Sequence, residues 1–97
     1  MNRSATCTIT CTFKGRTAKA IKVHVKNEGK FFWLPISQIP NMYLSGEEES
    51  GAETSVDQMT PEEEYLVRIP LWLACKLLQC DDVEELRDLE LSYLEID

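Results

Sequence analysis

Polar and apolar residues alternate without a break from Ala5 to Phe13. Thr6, Thr8, Thr10 and Thr12 fall on one face, and Cys7, Ile9, Cys11 and Phe13 on the other. A period of two predicts a half-buried strand. Lys14-Gly15-Arg16 is a turn candidate. A second alternating run covers 18–26, with Ile21, Val23 and Val25 pointing one way and Lys22, His24 and Lys26 the other. Asn27-Glu28-Gly29-Lys30 then predicts a hairpin loop in which Gly29 is free to take positive φ. Phe31-Phe32-Trp33-Leu34 is the return strand. It is apolar on both faces, so either both are covered or one presents aromatics for binding. Pro35 limits it.

Residues 36–40 predict a short turn or a single helical turn before a prolyl stop. Residues 45–60 are rich in Ser, Gly and Glu and carry Glu47-Glu48-Glu49, which predicts a mobile acidic loop. Tyr65-Leu66-Val67-Arg68-Ile69 is a further strand. Pro70 suits the first position of a helix over 71–78. Asp81-Asp82-Val83-Glu84 has the spacing of a capping box, with Asp81 as N-cap and Glu84 at N3. A second helix follows from Asp82 to about Leu89. Beyond it, Leu89, Leu91 and Tyr93 alternate with polar residues, so 89–97 is either strand or helix.

These elements predict an α+β fold: a small curled antiparallel sheet of about four strands with one or two C-terminal helices packed on it. A length of 97 residues allows one domain, 1–97. Its core is expected at 5–44 and 61–80, with the acidic loop at 45–60 and an acidic helix or tail at 81–97. Trp33 and Trp72 are the largest apolar anchors expected in that core.

Composition alters this picture little. Apolar residues make up 43% and charged residues 28% of the chain, which is ordinary for a globular protein. No apolar run approaches the length of a membrane span, and no apolar segment follows the first residues, so a cytoplasmic protein without membrane partners is expected. In a reducing cytosol Cys7, Cys11, Cys75 and Cys80 are most simply free thiols. Cys7 and Cys11 read as core residues of the first strand, and the spacings do not form zinc knuckles.

Charge changes the picture more. Residues 1–40 hold seven basic residues against one acidic, for +6; residues 41–97 hold three against sixteen, for −13. Catalytic patterns are lacking. His24 is the only histidine and sits on the lysine-bearing face of a strand, no glycine loop cradles phosphates, and Glu62-Glu63-Glu64 reads as a solvated run. A non-enzymatic protein without cofactor or metal is expected.

The segments "KAIKVHV", "GKFFWLPISQI" and "YLVRIPLWLACKLL" come in an order that resembles a small domain of phage and prophage proteins. There a "KAI-V-V" strand precedes a tryptophan-proline-"SQI" element, and an "IP-WLA" segment opens a helix. Trp33, Pro35, Ser37, Gln38, Ile39, Ile69, Pro70, Trp72, Leu73 and Ala74 carry the resemblance, which covers residues 17–79. The insertion at 45–60 and the acidic tail from Asp81 depart from that pattern. By size, charge and this origin, the chain is also similar to anti-CRISPR and other anti-defence proteins.

The resemblance implies a protein that binds and inhibits a host defence or nucleic-acid-processing protein in a bacterial cell. Its partner would be a host protein or a protein–nucleic-acid complex. Acidic side chains on a rigid scaffold can occupy a phosphate-binding channel. The candidates for that surface are Glu47, Glu48, Glu49, Glu53, Asp57, Glu62, Glu63, Asp81, Asp82, Glu84, Glu85 and Asp88. The alternative is direct nucleic-acid binding by the basic sheet, through Lys14, Arg16, Lys19, Lys22, His24, Lys26, Lys30 and Trp33, with Phe31 or Trp33 stacking on bases. A third reading is a phage structural or assembly protein. A homodimer through an open edge strand or Trp33 fits any of them.

Overall fold

A computed structural model describes residues 5–26 and 28–97. Asn27 of the expected hairpin loop, and the start of the chain at 1–4, lie outside the described residues. The protein is α+β, with a six-stranded antiparallel sheet and two short helices. The sheet is larger than the sequence pattern predicts. Strands β1 (Thr6–Arg16), β2 (Ala20–Val25), β3 (Lys30–Pro35) and β5 (Glu64–Pro70) answer to the expected four, and β4 (Met42–Leu44) and β6 (Leu94–Ile96) are added. At three residues each, these two are too short to show a period.

β1 is the spine of the sheet. Along one edge, Thr6 to Thr12 pair with β5. Along the other, Cys7 to Ile9 pair with β6, and Thr12 to Arg16 pair with β2. The path across the sheet is β3-β2-β1-β5-β4. The turn expected at Lys14-Gly15-Arg16 is instead a β-bulge inside β1. Phe13 faces Val23 and Gly15 faces Lys22, so Lys14 is the extra residue. The chain reverses at Thr17–Lys19, where the Thr17 hydroxyl accepts from the Ala20 amide at 3.1 Å.

One face of the sheet carries the core. Cys7, Ile9, Cys11, Phe13, Ile21, Val23, Phe32, Leu34, Val67 and Ile69 are buried there. The helices α1 (Leu71–Leu77) and α2 (Val83–Asp88) cover it with Leu71, Leu73, Ala74, Cys75 and Leu86. Met59 and Tyr93 complete the same cluster, so the acidic loop and the tail each supply a core residue. Thr12 is the one buried polar residue among those described, at 1% exposure. It is flanked by strands on both sides, opposite His24 of β2 and Glu64 of β5.

Neither tryptophan is a core anchor. Trp33 is 50% exposed and Trp72 43% exposed. The reason is phase. On β3, Phe32 and Leu34 face Val23 and Ile21 of the core, so Phe31 and Trp33 must face away. On α1, Leu71, Leu73, Ala74 and Cys75 take the buried stripe and leave Trp72 outside it.

The helix boundaries have local causes. The Asp82 carboxylate accepts from the Glu85 amide at 2.8 Å, so the N-cap is Asp82 and not Asp81. Glu85 reaches back to the Asp81 amide at 2.9 Å. α1 ends in a Schellman turn: the Cys80 amide donates to the Cys75 carbonyl at 2.8 Å and the Gln79 amide to that of Lys76 at 3.3 Å. Gln79 takes the left-handed conformation that this turn requires, with φ 58°.

Residues 45–60 contain two single turns of 3-10 helix, at Glu48–Ser50 and Val56–Gln58. The Thr54 amide donates to the Met42 carbonyl at 2.8 Å. The segment thereby lies along the outer edge of β4.

Candidate functional site

The face of β2 and β3 opposite the core joins aromatic and basic residues. Lys22 sits directly opposite Trp33, and His24 directly opposite Phe31. Side chains of facing residues on antiparallel strands lie on the same side of the sheet. Phe31 is 52% exposed. The Lys22 ammonium lies 4.8 Å from the centre of the Phe31 ring and 5.9 Å from that of Trp33, within cation–π range of both. The His24 ring lies 4.4 Å from Phe31, tilted by 32°. Two residues along a strand separate the rings by about 7 Å. The result is a platform of two half-exposed rings with a cation against both.

The structure divides the expected basic set. Lys22, His24 and Trp33 share this platform, and Lys26 is exposed in the chain just beyond β2. A shallow groove of about 270 Å3 runs from His24 and Lys26 past Thr10 and Thr12 to Glu64 and Ser92. Lys30 follows the hairpin turn, opposite Val25 on the core side of the pleat. Lys19 lies in the turn before β2. Two cations are already engaged: Lys14 pairs with Glu62 at 2.8 Å and Arg16 with Asp57 at 2.7 Å. The hydrogen bond from Lys14 holds the Glu62 carboxyl below its usual range, and the Lys14 charge and then Lys26 and His24 act in the same direction.

The acidic candidates are all exposed, but they form two groups. Glu47, Glu48, Glu49, Glu53, Asp57, Glu62 and Glu63 lie on the segments before β5. Asp81, Asp82, Glu84, Glu85 and Asp88 lie at α2, reached only after β5 and α1. In the first group, Glu47, Glu53 and Glu63 border a groove of about 490 Å3 with Leu44 and Tyr65 in its lining. The Tyr65 hydroxyl accepts from the Thr60 amide at 2.7 Å and fixes one wall. In the second group, Asp82 and Glu85 serve as helix caps, and Glu84 meets Arg87 at 3.3 Å.

A polar cluster at the β1–β6 junction was not marked by any sequence pattern. Asp97 accepts from the Thr6 hydroxyl at 2.7 Å and the Thr8 hydroxyl at 3.1 Å. Arg68 Nε stands 3.2 Å from Asp97 Oδ2, a charge contact whose angle misses a hydrogen bond. It ties β6 to β1 and β5.

The thiols are buried in the core or partly so. Desolvation pushes those of Cys7 and Cys11 up to about 12. Among the described residues, no three His, Cys, Asp or Glu side chains come together as metal ligands. Among the described residues no helix is long and apolar enough to cross a membrane.

Comparison of the chain with protein-family models, with curated proteins and with solved structures returns no match.

Proposed function

We propose that the protein binds single-stranded nucleic acid on the β2–β3 face. The observation that supports this reading is the platform itself: Phe31 and Trp33 half-exposed on one strand, with Lys22 against both and His24 against Phe31. An exposed aromatic pair in a small domain is expensive to leave in water, and singly placed cations do not explain it. Bases stack on such rings whatever their identity, and neighbouring cations track the backbone. The net charge of −7 disfavours broad contact with a duplex, whose phosphates would meet the acidic half. A local face suited to one strand avoids that repulsion. The test is anisotropy of a labelled single-stranded oligonucleotide and of the same sequence as duplex. Binding of the single strand, lost on Lys22→Glu with Lys26→Glu, supports the reading. Equal binding of duplex, or binding indifferent to those changes, contradicts it.

A second reading draws on the acidic groove. Glu47, Glu53 and Glu63 surround Leu44 and Tyr65, and among the described residues none of the three meets a basic side chain in an ion pair. Negative charge around an apolar floor suits a basic protein segment. This is the surface an inhibitor of a nucleic-acid-processing protein of the host would use, in keeping with the likeness to phage anti-defence proteins. Capture of one host protein from nuclease-treated lysate, abolished by reversing Glu47, Glu53 and Glu63 to lysine, is its expected result. Capture unaffected by that reversal rules the groove out.

A further inference from the structure

The two outer edges of the sheet are treated differently by the chain. At β4 the 45–60 segment lies alongside, and Thr54 bonds to Met42. At the other end, β3 is the last strand of the path, and among the described residues no further strand follows it. The pairing pattern tells which groups that edge offers. The Ile36 amide donates to the Lys19 carbonyl of the neighbouring strand at 2.8 Å. Antiparallel pairing alternates, so Leu34 and Phe32 also bond toward β2, and Phe31 and Trp33 direct both N–H and C=O outward. An edge with four outward-directed backbone groups under two half-exposed aromatic side chains is a template for another strand.

The geometry points to a second copy of this chain as the occupant, with β3 pairing antiparallel to β3 of its partner about a two-fold axis at Phe32. In that register Phe31 faces Trp33 of the other copy, and the reverse. All four outward groups of each copy are then satisfied by those of the other. The neighbouring registers do less well. Placing Trp33 opposite itself sets Phe31 against Pro35, which has no N–H. Placing Phe31 opposite itself sets Trp33 against Gly29, which offers no side chain to a ring. The two-fold at Phe32 also sets Lys30 opposite Leu34, so no charge meets its like across the joint. Lys30 and Pro35 bracket the strand and confine pairing to its middle.

An isologous contact of this kind closes at two copies. It merges two sheets without covering their open faces. The four rings would then form a two-by-two block across the joint, each row of two flanked by Lys22 of one copy and His24 of the other. The dimer rests on the edge geometry alone, so it stands or falls apart from nucleic-acid binding.

The experiment is sedimentation equilibrium of the full chain from micromolar to millimolar concentration, paired with amide hydrogen exchange at both limits. The expected result is a monomer–dimer equilibrium in which the Phe31 and Trp33 amides become protected as dimer forms. The Phe32 amide, already bonded to β2, is protected throughout. Phe31→Lys, which puts a charge on the edge, is expected to abolish the dimer with an unchanged circular dichroism spectrum. A chain that stays monomeric at millimolar concentration overturns the proposal. So does a dimer in which the Phe31 and Trp33 amides exchange freely, or one that Phe31→Lys leaves intact.

Discussion

The Lys22 ammonium lies over the ring of Phe31 at 4.8 Å, and the two residues belong to adjacent strands of one hairpin. Lys22 is set by the alternation of β2, and Phe31 by the phase of β3 against Val23 and Ile21. The contact is thus a consequence of core packing on the other side of the sheet. Because the rings are half-exposed, they add little to stability. Phe31→Ala and Trp33→Ala are each expected to change stability by about 1 kcal/mol or less. Each is also expected to weaken oligonucleotide binding by about 1–3 kcal/mol. Urea unfolding and anisotropy on the same samples check both. Trp72→Ala, on the opposite side of the sheet, should leave affinity unchanged.

Leu86 joins α2 to the core at 1% exposure. Leu86→Ala is expected to cost about 2–5 kcal/mol in urea unfolding, as other large-to-small core changes do. A cost below roughly 1 kcal/mol would mean that α2 does not pack as described.

Gln79 holds a left-handed conformation at φ 58° to close the turn after α1. A side chain there costs about 1 kcal/mol relative to glycine. Gln79→Gly is expected to raise the thermal midpoint by a few degrees, on the scale of about 4–8 °C per kcal/mol for a chain of this size. A lowered midpoint would contradict the assignment of the turn.

The Cys7 and Cys11 thiols rise from an ordinary value of 9.0 to about 12 through burial. A raised folded value favours the folded state below the unfolded value, and that advantage is lost as pH climbs from 9 toward 12. Stability is therefore expected to fall across that alkaline window, and Cys7→Ala with Cys11→Ala should flatten the fall. On the native chain near neutral pH, iodoacetamide is expected to reach the partly exposed Cys80 first, and Cys7 and Cys11 only on unfolding. Mass-spectrometric mapping of labelled cysteines checks the order.

The strands that carry the core were legible because a period of two survives on β1, β2 and β5. The Cys7–Phe13 and Ile21–Val25 faces are buried as their spacing predicts. β3 was harder. With apolar residues on both faces, its sequence alone gives no phase, and only pairing with Val23 shows that Phe32 and Leu34 go inward. The expected loop at 27–30 would pair Phe31 with Lys26, whereas Lys30 already pairs with Val25 and so sets Phe31 with His24. Trp33 was accordingly readable both as anchor and as surface. The Lys14 bulge, Met59 under the acidic loop and the Asp97 cluster depend on contacts distant in sequence and leave no local pattern. Of the acidic residues, charge was visible, but that Glu47, Glu53 and Glu63 border one groove was not, because the fold of the 45–63 segment brings them together.

The most direct measurement of the central claim is Trp33 fluorescence in a Trp72→Phe background, titrated with single-stranded oligonucleotide across a range of salt. Binding is expected to quench Trp33. The affinity is expected to fall with salt at a log–log slope of about −2, for roughly three phosphates neutralised by the cations of this face. No quenching at low salt, or quenching that persists unchanged after Lys22→Glu with Lys26→Glu, would contradict it.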